Sequence, residues 1–491
     1  MLIEPPFSRL FKGTYSLDRY PLALGYLSAA VAEGTQWDVS AYNADFSSQA
    51  EPLSYSYLTG PGFENYRKAL ADPSAPVWGE VRRAIAEYGP AAVGISAKSQ
   101  TFASACRVAR LAKEVDRRSL VIVGGPHPSM VGSEVLKCPD IDVAAIGEGE
   151  RTIVELLRAI ETSGDLEAVP GIAFRRGERA ALTPPRPFIE DLDSLPFPHA
   201  YAPRVLRDYD RYPVTAFKYV FATRGCPFRC TFCGSHKIWS RRVRFRSPGN
   251  VAAEVQGLQG RGLRFVHFDD DTFGVSRQYI GELCEALSSR CPGLKWSCEL
   301  HVKLVEEGTI SLMKSAGCYS VQLGIESGSN EILREIRKNC TIEEALSAAA
   351  IIKKAGLELS VFFMVGFPQE TEQTLKDTLR AMERISCDTV IYSIFTPYPG
   401  TEAFDLCRQN GLIGDDFDVS LYNHHSPANC FCIRLAPERF REMVSRAERM
   451  ADRRNKWNRL RRLLSWRTLG RVRELGIRGG LRKGIRTFLG R

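Results

Sequence analysis

Residues 223–234 read Thr-Arg-Gly-Cys-Pro-Phe-Arg-Cys-Thr-Phe-Cys-Gly, which places Cys226, Cys230 and Cys233 in a C-x3-C-x2-C triplet within one tight loop shaped by Gly225, Pro227 and Gly234. Three thiolates at this spacing suit three irons of a 4Fe-4S cluster and leave the fourth iron without a protein ligand, open for chemistry. A closed zinc site needs four ligands, usually as two separated C-x2-C pairs, and the nearest fourth donor, His236, has no paired partner. The loop follows the apolar run Tyr219-Val220-Phe221-Ala222. A reactive loop at the end of a strand is where a βα barrel carries its active site, and this placement decides how the surrounding chain is read.

Five more short apolar runs follow, separated by helical patterns: Phe265–Phe268, Lys295–Cys298, Ser320–Leu323, Leu359–Phe363 and Thr389–Tyr392. Six strands with intervening helices predict a partial (β/α)6 TIM-like barrel over residues 216–405. Upstream, residues 1–165 show the same α/β alternation, with strands expected at Leu2-Ile3, Trp37–Val39, Ala91–Ile95, Leu120–Val123 and Val143–Ile146, and helices at 21–32 and 103–115. This predicts a doubly wound, Rossmann-like domain, which binds ligands at the carboxyl ends of its strands. The first strand begins almost at Met1, so a start a few codons upstream fits the pattern. Residues 166–215, interrupted by Pro170, Pro184, Pro185, Pro187, Pro196 and Pro198, read as a linker, and 406–491 as a mostly helical basic region.

The chain has 491 residues, 44% hydrophobic and 25% charged, ordinary values for a globular protein of two or three domains. No apolar run is long enough for a membrane span and none reads as a signal peptide, so a cytoplasmic protein is expected. Fourteen cysteines at mostly scattered positions fit reduced thiols plus a metal site better than a disulfide framework. The net charge of +9 is local: residues 451–491 hold 14 Lys or Arg against Asp452 and Glu474, a charge of +12, which leaves residues 1–450 at −3. Trp457, Leu460, Leu463 and Leu464 recur at helical spacing among Arg453, Arg454, Arg459, Arg461 and Arg462. A helix docked on the barrel is the expected reading, with a peripheral membrane contact as the sharper one; no nucleic-acid module accompanies the charge.

The strand ends carry a resemblance. The cysteine triplet with Phe232 before its last thiol, Asp269-Asp270-Asp271 after the second barrel strand, Gly324-Ile325-Glu326-Ser327-Gly328 after the fourth, Gly366-Phe367-Pro368-Gln369-Glu370-Thr371 after the fifth and Thr396-Pro397-Tyr398-Pro399-Gly400-Thr401 after the sixth fall in an order that resembles the radical S-adenosylmethionine (SAM) superfamily. Singly, each also reads as a strand-end cluster, a cap or a turn. The resemblance implies that SAM's methionyl amine and carboxylate chelate the free iron and that reduction releases a 5'-deoxyadenosyl radical. It implies that Cys226, Cys230 and Cys233 are the catalytic cluster ligands, with Phe232 among the cofactor contacts. Asp270 or Asp271 would accept the SAM amino group, Glu326 and Ser327 would bond its ribose or methionyl part, and Gly366, Pro368 and Glu370 would shape the turn beside adenine.

In the first domain, Pro5-Pro6-Phe7, Tyr20-Pro21-Leu22 with Gly25-Tyr26-Leu27, Val121–Pro128 and Gly147-Glu148-Gly149-Glu150 resemble the cobalamin-binding domain that precedes the barrel in cobalamin-dependent radical SAM enzymes. Paired glycines at Gly124 and Gly125 let a backbone approach a bulky tail. Ser96 and Ser99 are placed to bond the dimethylbenzimidazole, and His127, Gly147 and Glu148 complete the expected cobalamin-binding set. A Rossmann-like domain binding nothing, or another nucleotide, is the plain alternative. The D-x-H-x-x-G motif that supplies an axial histidine in methionine synthase-like proteins is absent, and Lys98-Ser99-Gln100-Thr101 is expected below the cobalt.

The resemblance implies a C-methyltransferase acting on an unactivated carbon of a small-molecule, lipid or peptide substrate, reduced by a donor such as flavodoxin or ferredoxin. A cyclase or rearrangement enzyme using the same cofactors, and a non-catalytic cobalamin-sensing or scaffold protein, are the alternatives. Cys430 and Cys432 near His424 and His425 form a weaker metal candidate, for which core and surface positions are the plainer reading. Cys298 and His301 face either substrate or packing.

Overall fold

The structure, a computed structural model, describes residues 1–463 apart from 52, 163 and 178, with side chains to residue 461 at the C-terminal end. Leu463 as a side chain, and Leu464 with the basic residues after it, lie outside the described residues. The chain forms two compact units. One comprises Met1–Phe273, Glu282–Lys295 and Thr396–Ala428; the other comprises Gly274–Gly281, Trp296–Phe395 and the residues from Asn429 on.

The first unit begins with β1 (Leu2–Glu4), β2 (Ala41–Asn43), β3 (Ala92–Ser96), β4 (Leu120–Gly124) and β5 (Val143–Ala145), all paired in parallel, followed by β6 (Ile172–Arg176) and β7 (Arg179–Leu182), which pair antiparallel. The order is β2-β1-β3-β4-β5-β6-β7. Direction reverses between β1 and β3, so their carboxyl ends open a crevice. Period-2 alternation puts Val93, Ile95, Val121 and Val123 into one core with Ile3 and Trp78, and Ala92 and Ile122 into a second core with Leu156 and Ile172 on the opposite face. The helix Phe102–Val115 covers the first face through Ala105, Val108, Ala109 and Ala112, an i, i+3, i+4, i+7 stripe.

Two expectations shift here. Trp37 and Val39 pack side chains against the second core, but the paired backbone starts at Ala41, beyond the bond from Leu2 N–H to the Ser40 carbonyl. The stretch expected as linker contributes β6 and β7, a hairpin turned at Gly177 (φ +62°), because Phe174 and Ile172 complete that core despite the prolines around them.

The first unit continues with β8 (Tyr219–Val220), β9 (Thr223–Arg224), β10 (Arg244–Phe245) and β11 (Phe265–Phe273). β8 pairs parallel with β11, and β9 antiparallel with β10. The cysteine loop therefore lies inside the β9–β10 hairpin.

The second unit carries β12 (Lys295–His301) from Trp296 on, β13 (Cys318–Glu326), β14 (Glu358–Val365) and β15 (Thr389–Ile394), parallel and adjacent in chain order. The helix Ile342–Lys354 between β13 and β14 starts at a capping box, with Thr341 Oγ1 accepting from Glu344 N–H and Glu344 Oε2 accepting from Thr341 N–H at 2.8 Å. All six expected barrel strands are strands.

The helix Pro437–Leu463 packs in this unit through Phe440, Met443, Ala447 and Ala451, and farther on through Asn455, which bonds both backbone groups of Val390, and Arg454, which reaches the Met382 and Ile385 carbonyls. The described part of the expected apolar stripe does not dock: Trp457 is 57% exposed and Leu460 38%. The buried stripe set by Phe440 reaches Asn455 and Asn458 instead. No helix among the described residues is long and apolar enough to cross a membrane.

Candidate active site

The cysteine loop is anchored from below by β11. Asp270 Oδ1 accepts from Ala222 N–H (3.1 Å), from Thr223 N–H and from the Thr223 hydroxyl (2.7 Å). Its Oδ2 is buried without a partner, and burial pushes the carboxyl up to about 7. The three consecutive aspartates thus have three environments. Asp269 pairs with Arg19, whose guanidinium lies 3.9 Å from the Tyr219 ring centre; Asp270 pins the loop; Asp271 is the exposed one. A strand alternates its faces, so adjacent carboxylates need not share a site.

Within the loop, Cys233 N–H bonds the Cys230 carbonyl, and Cys226 Sγ lies 3.0 Å from Thr272 Oγ1. The three thiols and Phe232 are all partly exposed. Burial first, and then the neighbouring Cys230, Asp271 and Cys226, push the Cys233 thiol up to about 12. A loop that crowds three thiols beside a carboxylate suits a bound cationic centre, which is the fit a 4Fe-4S cluster requires. Among the described residues no group of three His, Cys, Asp or Glu side chains is arranged to hold a single metal ion. Thiols that ligate three different irons need not converge on one point, and Cys430, Cys432, His424 and His425 form no such group.

At the carboxyl ends of the N-terminal strands, His127 Nδ1 meets Ser99 Oγ at 3.1 Å, and its ring lies 4.3 Å from that of Phe102. Burial lowers His127 to about 4, so it is neutral at physiological pH. Gly125 (φ +101°) is required by the protein itself, since a Cβ there would stand 3.1 Å from the Ala97 carbonyl. Gly147 (φ +82°) differs: a Cβ there would meet nothing within 4 Å, and Ser129 Oγ holds its N–H at 2.9 Å. An open glycine after β5, with Ser96, Ser99 and His127 at and after the ends of the neighbouring β3 and β4, gives strand ends whose side chains suit a bulky group with a polar tail. Glu148 departs from its expected role there. Both its oxygens are taken by Arg224, Arg244 and the Ile189 N–H, and its side chain is 1% exposed.

The segment after the sixth barrel strand ties these loops together. The Tyr398 hydroxyl bonds Gln100 Oε1 at 3.2 Å, Gly400 packs on the Met130 carbonyl, and Ala403 N–H bonds the Thr231 carbonyl inside the cysteine loop at 3.0 Å. Lys98, also expected near a cobalt face, pairs with Glu4.

In the second unit, Glu326 leaves β13 with φ +71°, a conformation disfavoured for a side-chain-bearing residue, and its Oε1 accepts from Lys338 Nζ at 2.9 Å. A Cβ on Gly324 would fall 2.8 Å from that oxygen, so the glycine makes room for the pair. Ser327 is fully buried: its hydroxyl meets Thr378 Oγ1 and accepts from Ser329 N–H, both at 3.1 Å, which commits it to the turn and not to a ligand. Glu370 Oε2 accepts from Gly366 and Phe367 N–H, whereas Oε1 is buried without a partner, and burial pushes the carboxyl up to about 8. Gly366 (φ +95°) backs onto Phe440, and the Pro368 carbonyl accepts from Ile433 N–H. Cys298 is fully buried; His301 Nε2 bonds the Lys338 carbonyl at 2.8 Å, and burial lowers it to about 3.

Sequence reasoning gave no role to Lys338, Arg224 or Arg244, and took Glu150 only as part of the Gly147–Glu150 segment. Lys338 sits in Arg337-Lys338-Asn339, which reads as a solvated basic turn. The only local signal is Asn339, a residue that tolerates the left-handed backbone seen there (φ +58°).

Two family models match the chain, the radical SAM superfamily over residues 220–382 and the B12 binding domain over residues 9–157. An uncharacterized methyltransferase of Pyrococcus horikoshii is 29% identical over 422 residues, 84% of each chain. The anaerobic magnesium-protoporphyrin IX monomethyl ester cyclase of Rubrivivax gelatinosus is 30% identical over 366 residues, 71% of this chain and 63% of the cyclase. Among solved structures, the radical SAM methyltransferase TsrM of Kitasatospora setae, with cobalamin and a 4Fe-4S cluster bound, matches with a TM-score of 0.63 at 17% identity, over 84% of this chain and 75% of that one, a likeness of fold. A B12 binding domain followed in one chain by a radical SAM domain is the arrangement of one family, and this protein belongs to it: the cobalamin-dependent radical SAM enzymes, whose cofactors are a 4Fe-4S cluster, SAM and cobalamin.

Proposed function

We propose that the protein is a cobalamin-dependent radical SAM C-methyltransferase. The observation that carries this reading is that one unit holds both the cysteine triplet and the glycine-lipped strand ends, tied by Tyr398–Gln100 and Ala403–Thr231. When bound, the cluster with SAM supplies a radical that removes a substrate hydrogen, and cobalamin supplies the methyl group that replaces it. Cys226, Cys230 and Cys233 would hold three irons, with the Thr272 hydroxyl beside Cys226. Of the two aspartates considered for the SAM amino group, Asp271 is the better acceptor, because Asp270 is committed to the loop backbone. Glu326, fixed by Lys338, would bond hydroxyls of the ribose, and Glu370, protonated at neutral pH, would offer its free oxygen beside the adenine. Ser99 with His127, and Gln100 held by Tyr398, would line the corrin.

Methyl transfer is favoured over cyclisation because the methyltransferase relative aligns over 84% of its own length, whereas this chain spans 63% of the cyclase. The substrate would be a small molecule, a lipid or a peptide and the reductant a donor such as flavodoxin or ferredoxin, and the exposed Trp457 and Leu460 on a basic helix suit a peripheral membrane contact. The test is anaerobic loading with iron, sulfide and hydroxocobalamin, followed by analysis of SAM products during turnover with substrate. Methyl transfer requires S-adenosylhomocysteine together with 5'-deoxyadenosine; 5'-deoxyadenosine alone would assign the cyclase class, and neither product would assign a sensing or scaffold role.

A further inference from the structure

Four buried charges join the cysteine loop to the loop after β5. Arg224 Nη1 donates to Glu148 Oε1 at 2.8 Å and Nη2 to Glu150 Oε1 at 2.5 Å; Arg244 Nη1 donates to Glu148 Oε2 at 2.8 Å and to the Ile189 carbonyl at 2.6 Å. Side-chain exposures are 4% for Arg224, 3% for Arg244, 1% for Glu148 and 7% for Glu150, so water screens none of these contacts. The Arg224 guanidinium also lies 4.7 Å from the Trp239 ring centre and 5.2 Å from that of Tyr26. Arg224 and Arg244 are register partners across β9 and β10.

The position of the quartet is what gives it a role. Arg224 is separated from Cys226 only by Gly225, whose φ of +107° admits no side chain because a Cβ would stand 2.5 Å from the Arg242 carbonyl. Glu148 directly follows Gly147, the open glycine after β5. Paired buried charges are a poor way to gain stability, since an apolar cluster of equal volume serves as well or better. Their distinctive property is directional: a two-armed guanidinium between two carboxylates tolerates one relative placement of its neighbours. Register is the best-attested use of such groups.

We propose that the Glu148–Arg224–Glu150–Arg244 quartet is a positioning device that fixes the cysteine loop relative to the Gly147 lip, and so sets the separation of cluster and corrin. This rests on the cofactor assignment of the proposed function. The four are positioning residues, acting through Cys226 and Gly147.

The test uses the full chain loaded anaerobically with cluster and cobalamin, comparing wild type with Glu150→Gln, Glu148→Gln and Arg224→Lys. Pulsed electron paramagnetic resonance reads the dipolar coupling between the reduced cluster and cob(II)alamin, which falls with the cube of their separation and needs no substrate. Hydrogen exchange of the unloaded chain over residues 146–152 and 222–228 is the second readout. The expected result is full cofactor content in at least one variant, with a displaced and broadened coupling and joint loss of protection in both segments. Arg224→Lys, which keeps charge but loses the two-armed grip, should remain perturbed. Coupling identical to wild type in loaded variants would overturn the proposal, and so would failure of all three to fold, which would make the quartet a folding element. If wild type itself takes up no cluster or cobalamin, the functional reading fails instead, and exchange in the unloaded chain still decides whether the quartet locks the two loops.

Discussion

The Thr223 hydroxyl donates to Asp270 Oδ1 at 2.7 Å, tying the first residue of the cysteine stretch to a strand 47 positions later. Two backbone N–H groups share that oxygen. Asp270→Ala would strand these donors and should cost roughly 1–3 kcal/mol per group left unsatisfied. Asp270→Asn keeps an acceptor oxygen and should retain both stability and iron. Chemical denaturation with iron quantification on both variants checks this; equal loss in both would show that charge matters and not the acceptor.

Lys338 and Glu326 form a pair with 9% and 12% side-chain exposure. Lys338→Met leaves a carboxylate nearly buried without its partner, a change worth about 3–5 kcal/mol. The expected outcome is a lower unfolding midpoint and at least about tenfold weaker SAM binding by calorimetry, about 1.4 kcal/mol in affinity. Unchanged SAM affinity in a folded variant would remove Glu326 from the ligand contacts.

Glu370 has its folded pKa raised by burial from 4.5 to about 8. A raised folded pKa means stability that is fully present below pH 4.5 and lost as pH rises through 8, because the unfolded carboxyl ionises first. Replacing it with Gln removes that dependence while keeping an oxygen for the Gly366 and Phe367 N–H groups. Glu370→Gln should therefore gain on wild type between pH 5 and pH 8.5, by up to a few kcal/mol at about 1.4 kcal/mol per pKa unit. Parallel pH profiles of the two unloaded proteins would contradict the assignment.

Gly147→Ala meets no atom within 4 Å but must hold φ +82°. The expected stability loss is about 1–2 kcal/mol from backbone strain alone. If the open side receives a corrin, cobalamin uptake should fall far more than stability does. Spectroscopic titration with hydroxocobalamin compares the two; proportionate losses would mean that nothing approaches there.

The barrel strands and most of the N-terminal parallel strands were legible because each carries its own evidence, as in Val121-Ile122-Val123 ending at Gly124-Gly125, or the runs ahead of Gly324 and Gly366. Local motifs also exposed the cysteine loop. Pairings made across distance were not legible. Arg224 meets Glu148 across 76 residues, and nothing around Glu148 distinguishes a carboxylate lining a cofactor from one closing a buried ion network. Ser327 looked ligand-directed for the same reason, although Thr378 claims its hydroxyl across 51 residues. The hairpin β6–β7 was hidden by the prolines that flank it, and Trp457 looked like a docking residue until the helix phase set by Phe440 and Ala447 turned it outward.

Cofactor content of the anaerobically loaded protein, wild type beside Cys230→Ala, is the most direct test of the central claim. Wild type should carry about four irons with one cobalamin and release 5'-deoxyadenosine from SAM under reduction; Cys230→Ala should keep the cobalamin and lose both the cluster and the product. A wild-type chain that takes up neither cluster nor corrin, or a Cys230→Ala chain that retains cluster and cleavage, would contradict it.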